Sequence, residues 1–344
     1  MNKFFNRRNF ISGLGAAIVS GIKPAFAEKP DGIRSVLLHW GLNMWGESLP
    51  PDIKGPLSHG RLCNDRVKFS DKAWNALVDD IIDKRMNMVV IDLGEFPVYP
   101  SHPEIALPGS RSPDWIRNEV RRLKRLGLEP IPKLNFSSSH DSWLGEYSRM
   151  LTTGKYYEVC RDLIRDVAEM FDHPRLFHIG YDEESAEHQR GFKCVRVDEV
   201  WWHDLNFFVK VVEQNGMRPW MWSDYGWRHD EFVDRCPKSV LQSNWYYINR
   251  FDMSKMDVNE QDYAILRLFQ RLDKAGFDQV PCGSNWTWKN GPATNRSVWG
   301  LVKFCRSNVS PKHLKGFMMA PWADCTDSTL KLNLEGIDFF AQAL

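Results

Sequence analysis

The stretch Leu176-Phe177-His178-Ile179-Gly180-Tyr181-Asp182-Glu183-Glu184 decides the fold. Its first half is short and apolar, and it stops abruptly at adjacent carboxylates. Side chains alternate between the two faces of a strand, so Phe177 and Ile179 share one face and His178 and Gly180 the other. Asp182 and Glu183 cannot both point into one site from within the strand, so at least one lies in the loop beyond it. Two carboxylates this close hinder each other's ionisation, which is one way to keep one of them protonated as a general acid near neutral pH.

Outward from this segment, short β-prone runs alternate with longer helix-period segments, the pattern of repeated βα units around a parallel sheet. The expected strands are Val36 to Trp40, Met88 to Leu93, Glu129 to Asn135, Leu176 to Gly180, Arg218 to Ser223, Val240 to Asn244, Phe277 to Cys282 and Gly316 to Ala320. The expected helices are Asp71 to Arg85, Asp114 to Leu126, Tyr156 to Phe171, Asp198 to Asn215, a short Asp230 to Arg235, Gln261 to Lys274, Ser297 to Ser307 and one from Ser328 to the C-terminus. In the second, Trp115, Val120, Leu123 and Leu126 form the apolar side and Arg117, Arg121, Arg122, Lys124 and Arg125 the solvated one. Gly127, Gly216 and Gly276 each follow a helix and precede a strand, as C-caps do. Eight such units predict a single-domain (β/α)8 barrel, an α/β TIM barrel with catalytic residues at the C-terminal strand ends. A doubly wound sheet is disfavoured because no strand runs into a Gly-x-Gly-x-x-Gly turn.

The N-terminus carries its own signal. Asn6-Arg7-Arg8-Asn9-Phe10-Ile11 is a twin-arginine pair, followed by an apolar stretch to Ile22 and by Ala25-Phe26-Ala27, a small-x-small cleavage pattern. Residues 1–27 are expected to be a twin-arginine (Tat) signal peptide read by the Tat export machinery, and residues 28–344 the barrel, exported to the periplasm or outside the cell. The apolar stretch is too short for a stable membrane anchor.

Composition narrows the chemistry. The 344 residues hold 45 basic and 44 acidic side chains, a formal charge of +1, with no basic stripe, so nucleic acid is not an expected partner. The seven cysteines form no C-x-x-C pair and no cluster at zinc spacing, so no metal and no cofactor is expected. Fifteen tryptophans are far above ordinary usage, and Trp40, Trp45, Trp143, Trp220, Trp222, Trp245, Trp286, Trp288 and Trp322 fall at or just after expected strands. Flat indoles stack on the C–H faces of sugars, although part of this set must fill the core.

In barrel order the strand ends offer His39 and Trp40, Asp92 and Glu95, Lys133, Asn135 and His140, then His178, Asp182 and Glu183. Trp222 and Asp224, Gln242, Asn244, Trp245 and Tyr246, Asn285 and Trp286, and Trp322 and Asp324 complete the rim. Acids, amides and aromatics dominate, the lining expected for a neutral polyhydroxylated carbohydrate. A phosphate site would instead use a glycine-rich turn with Lys or Arg. The competing explanation for Asp182, Glu183 and Glu184 is a set of acids at the N-terminus of the next helix.

These residues carry a resemblance. Leu176 to Glu183 resembles the His-x-Gly-Gly-Asp-Glu signature of glycoside hydrolase family 20, the β-N-acetylhexosaminidases, with Tyr181 replacing the second glycine. Glu129-Pro130-Ile131-Pro132-Lys133 through Ser139-His140, Trp222-Ser223-Asp224, Gln242-Ser243-Asn244-Trp245 and Trp322-Ala323-Asp324 are similar, in order, to that family's third-, fifth-, sixth- and eighth-strand segments. The resemblance implies a retaining exo-acting enzyme in which Glu183 is the general acid/base, Asp182 orients the substrate's 2-acetamido group and His140 supports the acid. It also implies that Trp222, Trp245 and Trp322 wall the sugar and that Asp324 binds a hydroxyl. His39, Trp40, Asp92, Asn135, His178, Asp224, Asn244 and Trp286 are the further candidate substrate-binding residues. The chain departs from the family in lacking a first-strand arginine, a preceding β-sandwich domain and a tyrosine after the seventh strand. A same-fold glycosidase using two separated carboxylates, or a barrel that only binds glycans, would also fit.

Overall fold

The structure, a computed structural model, describes residues 32–42, 64–185, 194–286 and 296–344. The expected signal peptide and Trp45, Cys63 and Trp288 lie outside them. Among the described residues, eight parallel strands alternate with eight α-helices: β1 (Ile33–His39), α1 (Asp71–Asp83), β2 (Met88–Asp92), α2 (Pro113–Arg125), β3 (Glu129–Lys133), α3 (Gly154–Met170), β4 (Leu176–His178) and α4 (Asp198–Gln214). Then follow β5 (Arg218–Trp222), α5 (Phe232–Arg235), β6 (Leu241–Ser243), α6 (Gln261–Lys274), β7 (Cys282–Gly283), α7 (Arg296–Asn308), β8 (Gly316–Met319) and α8 (Leu330–Ala343). The ladder runs β6-β5-β4-β3-β2-β1-β8-β7. Backbone bonds from Gln242 N to Asp278 O, Val280 N to Gln242 O and Cys282 N to Asn244 O join its two ends. This is the expected (β/α)8 barrel.

The strand alternation sorts the core into two. Leu37, Val90, Ile131, Leu176, Trp220, Trp222, Leu241 and Met318 point into the barrel. Val36, Leu38, Val89, Ile91, Phe177, Ile179 and Met221 point outward, where the helices cover them. Burying such aliphatic side chains stabilises by about 1.5–3 kcal/mol each. Two strands are thinned by proline. In β3 the residues 130, 132 and 134 face β4, as the bond from Leu134 N to His178 O shows. Pro130 and Pro132 have no N–H to give, and the β3/β4 register is reduced to Lys133 opposite His178. Pro281 likewise leaves β7 only two residues long, shorter than the expected Phe277 to Cys282.

Gly127, Gly216 and Gly276 have φ of 84°, 77° and 81°, the left-handed C-cap that the helix–Gly–strand joints predict. The apolar face of α2 is rotated from expectation. Ile116 is fully buried with Val120 and Leu123, whereas Leu126 is 43% exposed. Ser112 caps this helix by accepting from Trp115 N, and that cap fixes the register that the periodicity missed.

Candidate active site

Beyond β4 the backbone leaves strand geometry altogether. Gly180, Tyr181 and Glu183 take φ of 67°, 73° and 54°, so the alternation ends and the next side chains can turn into the barrel mouth. Asn135, just past β3, holds this turn. Its Oδ1 accepts from Tyr181 N and Ser137 N, and its Nδ2 donates to Asp182 Oδ1 at 2.8 Å. A Cβ at position 180 would lie 2.2 Å from Asn135 Oδ1, so only glycine fits there.

The doublet meets His140. Its Nε2 lies 3.5 Å from Asp182 Oδ2 and 3.3 Å from Glu183 Oε2. The Glu183 side chain is 21% exposed, open to a ligand. Asp224, in the turn after β5, accepts from the Glu183 backbone N–H at 2.9 Å through Oδ2. Burial, and next the charge of Asp182, push the Asp224 carboxyl up to about 7. The third acid, Glu184, has a different fate. Ser138 N, Ser138 Oγ, Ser137 Oγ and the Arg196 backbone and guanidinium all donate to it, and its side chain is 1% exposed. Because α4 begins only at Asp198, the acids do not serve its N-terminus.

Aromatic rings form the walls. Trp322 lies 5.7 Å from Trp222 and 5.7 Å from His39 between ring centroids, and Trp222 sits 4.7 Å from His178. Trp245 stacks on Tyr247 at 5.1 Å and meets Trp227 at 4.5 Å. Tyr247 was not singled out from the sequence. Its hydroxyl accepts from Trp322 Nε1 at 3.1 Å. Burial raises its pKa well above the ordinary value, and the charges of Cys282, Asp182 and Glu183 add to this, so it stays a neutral donor. Trp227, also missed, donates through Nε1 to Asn244 Oδ1. A cleft of about 390 Å³, lined by Glu183, Asp224, Trp227, Trp245 and Tyr247 among others, opens beside the doublet.

Beneath the mouth lies a second polar group. Lys133 is paired with Asp92, both almost fully buried, and His39 Nδ1 is 3.4 Å from the same Asp92 oxygen. Burial lowers the His39 pKa to about 4, with Asp92 opposing. His178, fully buried, is likewise driven well below its usual value by burial, then by the charge of Lys133, and its Nδ1 accepts the Gly180 N–H. Both histidines are neutral imidazoles.

Two proposed contacts are not brought to the mouth. Trp40 follows inward-facing His39, so alternation sends it outward, where it packs edge-on against Trp74 and Trp115 beneath the helices. Asn244 spends both ends of its amide on Trp227 and on Ile265 O of α6, so it positions Trp227. Trp286 is 39% exposed on the rim after β7. Asp324 bridges His39 in backbone pairing and is held by the hydroxyls of Thr326 and Thr329. Among the described residues no group of three or more His, Cys, Asp or Glu is disposed to hold a metal ion, and no helix is long and apolar enough to cross a membrane. Orphaned polar atoms gather here: His39 Nδ1 and Nε2, His178 Nε2 and Trp222 Nε1 are buried with no hydrogen-bond partner among the described residues.

No protein-family profile and no curated protein matches the chain. Solved structures do share its fold. A family 20 chitobiase of Flavobacterium johnsoniae aligns with a TM-score of 0.55 at 14% identity over 81% of this chain, which spans only 50% of that one. The pneumococcal virulence factor StrH, described for N-glycan recognition and hydrolysis, aligns at 0.57 and 12% identity over 93% of this chain and 84% of its own. A family 5 glycoside hydrolase from Prevotella bryantii, in complex with a xyloglucan tetradecasaccharide, aligns at 0.53 and 12% identity over 90% and 96%.

Proposed function

We propose that this chain is a glycoside hydrolase, exported by the twin-arginine route, that removes a terminal 2-acetamido sugar with retention of configuration. The observation that carries the proposal is the convergence of Asp182, Glu183 and His140 within 3.5 Å at a tryptophan-walled strand end. The fold shared with solved glycoside hydrolases supports it.

In this scheme protonated Glu183 gives its proton to the glycosidic oxygen as the bond to the anomeric carbon breaks. The acetamido carbonyl oxygen attacks that carbon, and Asp182 accepts a hydrogen bond from the acetamido N–H, balancing the positive charge of the cyclic intermediate. Glu183, now ionised, takes a proton from the water that opens the ring. The substrate thereby replaces an enzyme nucleophile, a recognised departure from the two-carboxylate scheme. Tyr247, whose hydroxyl is already supported by Trp322, is suited to donate to the acetamido carbonyl oxygen in place of the tyrosine missing after the seventh strand. Asn135 fixes Asp182 in position.

One observation favours a second scheme. Asp224 adjoins the doublet and titrates near neutrality, so it could act as partner carboxylate on a sugar without an acetamido group. The test is a panel of chromogenic glycosides with and without the 2-acetamido group, together with a thiazoline that mimics the cyclic intermediate. Turnover confined to acetamido substrates and blocked by the thiazoline is expected. Turnover of other glycosides insensitive to the thiazoline would overturn the proposal in favour of Asp224.

A further inference from the structure

Of the residues assigned above to the 2-acetamido sugar, Asp182, His140, Trp222 and Trp322 do not line the cleft, whereas Glu183 and Tyr247 border it and Trp245, expected at the sugar wall, lines it. A general acid stands between the sugar being cleaved and the group that departs. On the glycosidase reading, on which this inference rests, the cleft is therefore the leaving-group side.

Its walls suit a sugar ring. Both faces of Tyr225 are covered, by Trp201 and His229 at 3.7 Å each, so the walls that remain are the indole faces of Trp227 and Trp245, which meet at 67°. Such faces take the apolar side of a pyranose. Its charges are mostly spoken for. Glu184 is paired with Arg196, Asp262 lies 3.7 Å from Arg250, and His229 lies 3.2 Å from Glu231. Arg228 is the exception. It is exposed, lines the same cleft, and has neither a hydrogen bond nor an ion pair among the described residues. A guanidinium offers a planar fork of donors matched to a carboxylate.

We propose that this cleft is a leaving-group subsite for an acidic sugar, a uronic acid whose carboxylate is held by Arg228 while its ring lies against Trp227 and Trp245. Arg228 sets specificity and takes no part in bond cleavage.

The experiment compares a disaccharide of N-acetylglucosamine linked to glucuronic acid with its carboxyl-reduced form, using the intact protein and Arg228→Gln. In parallel, calorimetric titration with a glucuronic-acid-containing tetrasaccharide and its carboxyl-reduced form reads the subsite without turnover. The wild-type protein should prefer the acidic ligand by about tenfold or more in both measurements, the size of one charge-assisted bidentate contact. Arg228→Gln should erase the preference through KM, leave kcat in place, and leave a chromogenic monosaccharide glycoside unaffected. Equal affinity of the wild type for acidic and reduced ligands, or an unchanged preference in Arg228→Gln, would overturn the subsite. Arg228-dependent binding without hydrolysis of any substrate would uphold the subsite and overturn the catalytic reading instead.

Discussion

Two groups of buried charge lie at neighbouring strand ends, and they are built on opposite plans. Under β1 to β3, Asp92 is matched by Lys133 with neutral His39 beside them. At the exits of β4 and β5, Asp182 and Glu183 meet at His140 with Asp224 bonded to the Glu183 backbone, and burial, then the charge of Asp182, push the Asp224 carboxyl up to about 7. A charge neutralised by a partner is architecture, because neither group has reason to exchange a proton. A carboxylate whose neighbours are carboxylates is poised to do so. The difference locates the chemistry more sharply than burial or charge alone.

Breaking the matched group should have the largest effect. Lys133→Met leaves Asp92 uncompensated in the barrel and should cost about 3–5 kcal/mol of folding stability, as removal of one partner of a buried pair does. The double variant Asp92→Leu with Lys133→Met should recover most of that loss. Urea unfolding of the three proteins checks this, and a mild effect from the single change would show that the pair carries no such burden. Breaking the crowded group should do the reverse. Glu183→Gln keeps size and shape, so the fold should hold while kcat falls by about a hundredfold or more, roughly 2.7 kcal/mol of transition-state stabilisation. Steady-state rates with unfolding curves on the same samples test both halves of the statement.

The smallest and most diagnostic effect is in pH dependence, where the two groups should pull in opposite directions. His39 keeps off a proton down to about 4 that the unfolded chain binds from 6.5, so its contribution to stability grows as pH rises across that window. Asp224 keeps a proton up to about 7 that the unfolded chain has lost above its ordinary 3.8, so its contribution shrinks as pH rises between those values. Asp224→Asn should flatten the decline and His39→Asn the rise in melting temperatures taken from pH 4 to 7. Identical profiles for all three proteins would remove the basis for the comparison.

Much of this was legible in the chain. The strand starts and helix ends follow from hydrophobic period and from the glycine joints, and most boundaries fall within two or three residues of expectation. The doublet and His140 were visible because an apolar strand ending in acids has few other uses in a barrel. The misses have physical reasons. Trp40 was assigned to the mouth with His39, although adjacent residues in a strand face opposite ways. The same rule, applied to Trp245, places Tyr247 on the same face and could have found it. Glu184 looked like its neighbours because its partner Arg196 is twelve residues away in sequence, a pairing that no periodicity reveals. Lys133 was seen at the strand end, but its match to Asp92 depends on the β2/β3 register.

Three of the eight non-glycine residues with left-handed backbone among the described residues are Tyr181, Glu183 and Trp322, all at the mouth. For an ordinary side chain that conformation carries a penalty of about 1 kcal/mol or more, which asparagine or glycine would largely relieve. The residue assigned the proton transfer thus occupies a position that favours its own replacement. Asn or Gly at 183 should therefore give a sturdier barrel that lacks the proposed proton donor.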